Sequence, residues 1–254
     1  MKMTFLGVGN AFTTQEFWQS NICFEYDGDR FLFDCGSDIR FSLVDQFPDL
    51  KNNNIHEYLE GVYISHVHED HSGGLEWLGF CTYFNPKCPK PILVCHKDIV
   101  EELWEESLKG GMAAVEGKTC TLEDYFEVNT VDEDDFKFGA YSARVVKRVH
   151  VDSVVDKYSY GLMIDGDKKV YLTSDVTFDK DVKEYEEADL IFQDCETTPF
   201  KTNVHSNYED LKTLPDDIKG KMWLYHYQPD SNDKYDPVED GFLGFVKKGQ
   251  SFEI

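Results

Sequence analysis

His66-Val67-His68-Glu69-Asp70-His71 sets three imidazoles and a carboxylate at the spacing H-x-H-x-D-H. The apolar run Val62-Tyr63-Ile64 precedes it and Ser72-Gly73-Gly74-Leu75 follows, so the pattern predicts a buried strand turning into a helix, with the motif on the turn. Successive strand residues point to opposite faces, whereas a turn can gather neighbouring side chains around one point. Imidazole nitrogen and carboxylate oxygen suit zinc, manganese or iron better than calcium or magnesium. The competing reading is a His-rich surface loop. The tight recurrence of one scarce residue type argues for a metal site.

Three isolated polar residues close other apolar strands. His150 follows Arg144 to Val149, Asp175 follows Val170 to Ser174, and His226 follows Met222 to Tyr225. Taken alone, each has an ordinary reading as a hydrogen-bonded strand-end histidine or a helix cap. Asp34, closing Leu32-Phe33, either orients a metal-ligating histidine or caps a helix starting near Ser37. In His205-Ser206-Asn207, Ser206 or Asn207 is placed to cap a helix beginning near Tyr208. Phe12, Phe17 and Trp18 lie in the loop after the first strand, available either to stack on a planar ligand or to pack in the core.

Composition narrows the function. A chain of 254 residues, 41% hydrophobic, buries a core without crosslinks. Its 49 acidic against 25 basic side chains leave a formal charge of -24, which repels a long polyanion and argues against extended nucleic acid as a partner. A small anion is still drawn to a site holding divalent cations, whose charge dominates at short range. The seven cysteines show no C-x-x-C pairing, and even the seven-residue recurrence of Cys81, Cys88 and Cys95 reads as buried reduced thiols. Met1-Lys2-Met3-Thr4 opens without a signal-peptide pattern, and no apolar run approaches the ~20 residues of a membrane span. The expectation is a cytoplasmic protein, in its own cell or in a host, with no membrane partner.

The elements that must position these residues follow from periodicity. Strands are predicted over 3–7, 21–26, 30–34, 62–65, 91–95, 143–149, 160–164, 170–173, 190–192 and 222–225, with one or two more in 242–254. Helices are predicted over 38–46, 75–84, 98–108 (stopping at Gly110-Gly111) and 179–187, with residues 55–60 leading into the strand before the histidine motif. The acidic stretch 124–138 reads as solvated, with a turn at 132–135. Strands followed by helices, twice over, predict a layered α/β architecture with two facing sheets in one domain, 1–254.

With these residues in view, the chain resembles the metallo-β-lactamase superfold and, within it, the 3′ tRNA-processing endonucleases of the tRNase Z type. The resemblance runs from Phe5-Leu6-Gly7-Val8-Gly9 through Leu32-Phe33-Asp34-Cys35-Gly36 and the histidine motif to Tyr227. It implies an αββα sandwich holding two divalent metals, zinc first, with manganese or iron accepting the same donors. One metal would take His66, His68 and His150; the other would take Asp70, His71 and His226; Asp175 would bridge them. His205-Ser206 resembles the His-Ser-Thr element of the phosphodiesterase branch, with Asn207 in place of Thr, which implies that His205 contacts phosphate and serves as general acid. The tRNA enzymes carry a long gripping arm between the residues matching His150 and Asp175. Here those two are only 25 positions apart. What remains resembles the phage-encoded anti-Pycsar family, which degrades the cyclic mononucleotides of bacterial defence, and the resemblance implies a homodimer.

The chemistry expected is that of two divalent cations ~3.5–4 Å apart, which acidify a water between them and neutralise phosphoryl oxygens. Asp70 would orient the nucleophile and His205 would protonate the departing 3′ oxygen, converting cAMP, cGMP, cCMP or cUMP to the 5′-monophosphate. Competing readings are an RNA 3′-processing endonuclease, a thioester, lactone or lactam hydrolase, and a non-catalytic nucleotide-binding sponge. The His205-Ser206 element argues against the second, and seven ligand-type residues argue against the third.

Overall fold

The computed structural model describes residues 1–48, 58–85, 87–132, 136–138 and 141–254. Short β-branched and aromatic runs dominate the first half. β1 (Lys2–Phe5) leads to the hairpin β2 (Ile22–Tyr26) and β3 (Asp29–Phe33), whose turn residues Asp27 and Gly28 sit at φ 50° and 96°, as a tight two-residue connection requires. Then come α1 (Ile39–Gln46), β4 (Gly61–Ile64), the short α2 (Glu69–Ser72), α3 (Leu75–Tyr83) and β5 (Ile92–His96). After α4 (Lys97–Glu102) the helix widens into a π turn, Leu103–Leu108, and resumes as α5 (Lys109–Met112). A small ribbon, β6 (Ala114–Val115) with β7 (Lys118–Thr119), and α6 (Leu122–Tyr125) precede β8 (Glu127–Val131).

The second half contains β9 (Phe136–Phe138), the long hairpin β10 (Tyr141–Val151) and β11 (Lys157–Asp165), and β12 (Lys169–Leu172). α7 (Lys183–Glu187), β13 (Leu190–Asp194), α8 (Tyr208–Leu211), α9 (Asp216–Lys219), β14 (Met222–Tyr225), β15 (Gly244–Phe245) and β16 (Ser251–Glu253) follow.

One seven-stranded sheet has the order β16-β1-β2-β3-β4-β5-β8 and the other β15-β14-β13-β12-β11-β10-β9. In the first, β3, β4, β5 and β8 are parallel; in the second, β12 to β15 are parallel and β10 runs in their sense through the antiparallel β11. The carboxyl ends of the parallel strands are where α/β sheets present ligand sites.

Phe5 of the first sheet packs on Phe192 and Tyr225 of the second, with ring centroids 5.1 and 5.5 Å apart, and Tyr63 Oη donates across the gap to the Tyr160 carbonyl at 2.9 Å. Cys23, Cys35, Cys81, Cys95, Cys120 and Cys195 are free thiols, and burial pushes those of Cys23 and Cys95 up to about 12, as inert reduced thiols require. Among the described residues no helix is long and apolar enough to cross a membrane.

Several boundaries differ from expectation. Gly110-Gly111 does not end its helix, because Met112 is fully buried and its carbonyl accepts from Tyr125 Oη at 2.5 Å, which holds the last turn in place. The acidic stretch contributes two edge-region strands, β8 and β9, since each pairs with a neighbour whose backbone would otherwise lack partners. The predicted helix 179–187 begins only at Lys183. The first half of the segment expected at 55–60, and the turn expected at 132–135 beyond its first residue, lie outside the described residues.

Phe5→Ala removes a fully buried ring from between the sheets. The expected loss is about 3–5 kcal/mol, read from urea denaturation of the metal-loaded protein, and a loss under about 1 kcal/mol would show that the sheets do not meet at this ring.

Candidate metal centre

Each of the seven ligand-type side chains leaves the fold at or just beyond a strand end. The H-x-H-x-D-H motif follows β4, with Asp70 and His71 inside α2. Asp34 follows β3, Asp175 follows β12, and His226 follows β14. His150 lies in β10 where the register with β11 shifts between Val149 and Val151. A bulge there frees its side chain from strict alternation and turns it to the site. Asp34, Ser174 and His226 all adopt positive φ, 65°, 54° and 64°, a sparsely populated conformation for residues with a Cβ. Such strain at three strand ends around one point is a mark of a functional site.

The motif is clamped to the end of β3. Cys35 N donates to His71 O at 2.7 Å and Gly74 N to Cys35 O at 2.8 Å. A Cβ on Gly36 would lie 2.2 Å from the Asp70 carbonyl, so only glycine lets the two segments approach this closely.

Seven side chains converge in two groups. In the first, His68 Nδ1 lies 3.2 Å from His66 Nε2 and 3.0 Å from His150 Nε2. In the second, Asp70 Oδ2 lies 3.3 Å from His71 Nε2 and 3.2 Å from His226 Nε2. Asp175 Oδ2 reaches both groups, at 3.1 Å from His71, 3.4 Å from His226, 3.8 Å from His66 and 4.0 Å from His150. Within each group the ligand-type atoms lie within 4.8 Å of one another.

Outer contacts fix the rings. His71 Nδ1 donates to Asp34 Oδ2 at 2.7 Å, His150 Nδ1 donates to Val204 O at 2.9 Å, and His66 Nδ1 lies 3.0 Å from Ser65 Oγ. Each of these rings therefore turns its Nε2 inward. Asp34 also accepts from Ser65 N and Oγ, both at 2.8 Å, so it orients the motif rather than capping α1.

Electrostatics divide the two groups. Burial, reinforced by neighbouring imidazoles, pushes His66 down, and burial likewise lowers His68 and brings His150 to about 4, so all three offer lone pairs at neutral pH. Burial opposes the charge on His71 and His226 too, but Asp175, Asp70, Asp34 and Asp194 outweigh it, raising His71 and bringing His226 to about 10. Asp175 Oδ1 is buried and has no hydrogen-bond partner. Three converging imidazole lone pairs, an unpartnered buried carboxylate oxygen and three further donor side chains fit two divalent cations, with His66, His68 and His150 on one, Asp70, His71 and His226 on the other, and Asp175 able to serve both.

Two further residues, His205 and Asp194, stand beside the centre, and with Asp175 and His226 they form a third group whose ligand-type atoms lie within 4.8 Å of one another. His205 Nδ1 lies 3.0 Å from Asp194 Oδ2, and Asp194 Oδ1 lies 3.4 Å from His226 Nδ1. Asp194, fully buried at the end of β13, was missed by sequence reasoning, although the strand-end rule that marked Asp175 and His226 applies to it equally once β13 is extended two residues past Phe192. Asn207 caps α8 by accepting from Glu209 N, while Ser206 Oγ donates to Val176 O, so capping does not use His205. Of the aromatic loop, Phe17 packs edge-on to Tyr227 and Trp18 stacks on Phe41, and only Phe12 stands bare at 91% exposure.

Because carboxylates hold protons on His71 and His226, loading metal at neutral pH must expel them. Zinc added to chelator-stripped protein at pH 7 is expected to release about two protons per chain, measured by calorimetry in buffers of different ionisation enthalpy, and affinity falls as pH drops because protons compete for the same nitrogens. Heats independent of the buffer would show that the metal-free centre is already neutral.

The geometry agrees with what the chain is similar to. The family model of the anti-Pycsar protein Apyc1 matches residues 1–252. An anti-Pycsar protein Apyc1 of Bacillus phage vB_BveM-Goe7 is 30% identical over 240 residues, covering 89% of this chain and 88% of its own. One from Paenibacillus harenae is 29% identical over 261 residues and covers both chains fully (100% and 100%). The crystal structure of the metallo-β-lactamase fold protein YhfI from Bacillus subtilis superimposes with a TM-score of 0.74 at 19% identity, covering 99% of each chain. Two sheets face to face, with the ligand-type residues on the strand ends, are therefore a metallo-β-lactamase fold, and this chain belongs to the anti-Pycsar Apyc1 family.

Proposed function

We propose that this protein is a metal-dependent phosphodiesterase that hydrolyses 3′,5′-cyclic mononucleotides to 5′-monophosphates and so antagonises bacterial cyclic-nucleotide defence. The observation that carries this reading is His205. Its Nδ1 is tied to Asp194, its side chain is 20% exposed, and it stands next to a two-cation donor set to which it is not needed as a ligand. Burial disfavours its charge, but Asp194 and Asp175 hold its pKa above the usual histidine value. The two carboxylates thus favour its protonated form, and with Nδ1 on Asp194 it is Nε2 that is left to donate.

Two divalent cations, zinc first and manganese or iron as alternatives, supply an acidified water and neutralise the phosphoryl oxygens when bound. The chain's own groups do the rest. Asp70 and Asp175 keep the centre anionic enough to retain the cations, and Asp34 and Asp194 hold the rings of His71 and His226 in place. His205 gives its proton to the ribose 3′ oxygen as the bond to phosphorus breaks, a step that a basic alkoxide needs. Between His150 and Asp175 stands only the β10–β11 hairpin and β12, and the net charge of -24 opposes a polymeric substrate. A small cyclic nucleotide fits that surface better than a tRNA precursor. From the family resemblance we take the acting species to be a cytoplasmic homodimer, which light scattering after size exclusion checks.

Asp175→Ala removes the carboxylate common to both groups. Metal content by elemental analysis is expected to fall, and turnover of cyclic nucleotides to drop at least ~10³-fold with the fold retained; wild-type activity would mean that another group spans the centre.

His205→Ala is expected to cost roughly 10²–10⁴-fold on a cyclic mononucleotide and far less on bis-p-nitrophenyl phosphate, whose leaving group needs no proton. Equal losses on both substrates would reduce His205 to positioning phosphate. Cleavage of tRNA precursors with no action on cyclic mononucleotides would replace the present reading with RNA processing.

A further inference from the structure

Gln193 is a polar side chain with no exposed surface, one residue before the end of β13 and on the opposite face of that strand from Phe192. An apolar residue could pack there with no bonding requirement. A buried amide instead has to find partners for its donors and its oxygen, and this one does. Tyr185 Oη, from α7, donates to Gln193 Oε1 at 2.6 Å. Gln193 Nε2 donates to Ser206 Oγ at 3.2 Å and to the Asp194 carbonyl at 3.0 Å. The Ser206 hydroxyl gives its one proton to Val176 O at 3.0 Å, so it has only lone pairs left for Gln193, which fixes the sense of the amide.

These bonds close a ring around His205. Gln193 and Asp194 are consecutive in β13, and they take hold of two residues that are also consecutive, Ser206 and His205. Val176 joins the two contacts. Its N–H donates to Asp194 Oδ2 at 3.0 Å, the oxygen that also takes His205 Nδ1, while its carbonyl takes the Ser206 proton. Glu196 N adds a backbone bond to Ser206 O at 2.8 Å. The His205 side chain is partly exposed, which leaves much of its placement to the turn that carries it.

We propose that Gln193 is a positioning residue for the proton donor: through Ser206 its amide holds the 205–206 turn against β13 and keeps His205 in register with Asp194. The inference rests on the reading of His205 as general acid and adds a residue that the reading does not include. Being fully buried, Gln193 acts on a substrate only through His205.

Gln193→Met keeps the length of the side chain and removes its hydrogen bonds. In the zinc-loaded protein, kcat on a 3′,5′-cyclic mononucleotide is expected to fall about 10- to 100-fold with KM little changed, the scale on which a misplacement of about 1 Å acts. Turnover of bis-p-nitrophenyl phosphate and the metal content per chain should hold. Ser206→Ala removes the other end of the link and should reproduce this pattern, with the double variant no slower than the slower single one. Should urea denaturation show Gln193→Met unfolded, Ser206→Ala and Tyr185→Phe carry the same comparison. Equal losses on both substrates, or lost metal, would mean that Gln193 supports the centre as a whole and would overturn the proposal, as would full activity in every variant. The NMR signal of the His205 Nδ1 proton, assigned by its absence from His205→Ala, reports the geometry without turnover and is expected to shift or broaden in Gln193→Met. If it moves but His205→Ala shows no dependence on the leaving group, Gln193 positions the ring and the general-acid reading fails. If it stays while His205→Ala behaves as a general acid should, the acid reading stands and this inference falls.

Discussion

Four carboxylates, Asp34, Asp70, Asp175 and Asp194, are buried at one end of this molecule, and none is there without an imidazole against it. Burying an anion costs several kcal/mol unless a cation compensates it, so this cluster is tolerable only as a charge-balanced unit. Much of the rest of the fold serves that balance. The parallel strands bring their carboxyl ends to one place, the bulge in β10 turns His150 inward, and Gly36 lets the histidine motif approach the end of β3. Three residues accept left-handed backbone conformations so that the groups meet.

The part of this centre that was legible in the sequence is the part encoded either by close spacing or by a repeated rule. H-x-H-x-D-H is local, and a strand ending in a turn leaves it few ways to be arranged. His150, Asp175 and His226 share a second signature, a polar residue closing an apolar run, and the structure brings all three to the motif. Asp194 obeys that rule too, but the apolar run ahead of it ends at Phe192 and Gln193 intervenes, so the pattern predicts a strand two residues too short. The bulge was not legible at all. Nothing in Val149-His150-Val151 marks it, because it arises from the pairing of β10 with β11 rather than from local preference. The π turn after Glu102 is likewise invisible to a pattern with helical spacing, and the glycines that looked like a stop lie inside the helix because Met112 is anchored from outside it.

Charge at two length scales reconciles a strongly acidic protein with the small anionic substrate proposed for it. At a distance, the net charge of -24 dominates and opposes any polymer that must lie along the surface. At contact range, two divalent ions held by the seven ligand-type residues would dominate instead, and the screening length of roughly 8 Å at physiological salt separates the two regimes. A ligand small enough to sit wholly within the inner regime feels mostly attraction.

The protonated rings of His71 and His226 also bear on how the molecule is made. The carboxylates around them favour the charged imidazole, so without a cation these rings offset part of the negative charge that Asp34, Asp70, Asp175 and Asp194 bury at this end of the fold. Many small metal-binding domains remain unfolded until they capture an ion. Here imidazolium charge on two rings compensates buried carboxylates in the place where such domains rely on the ion.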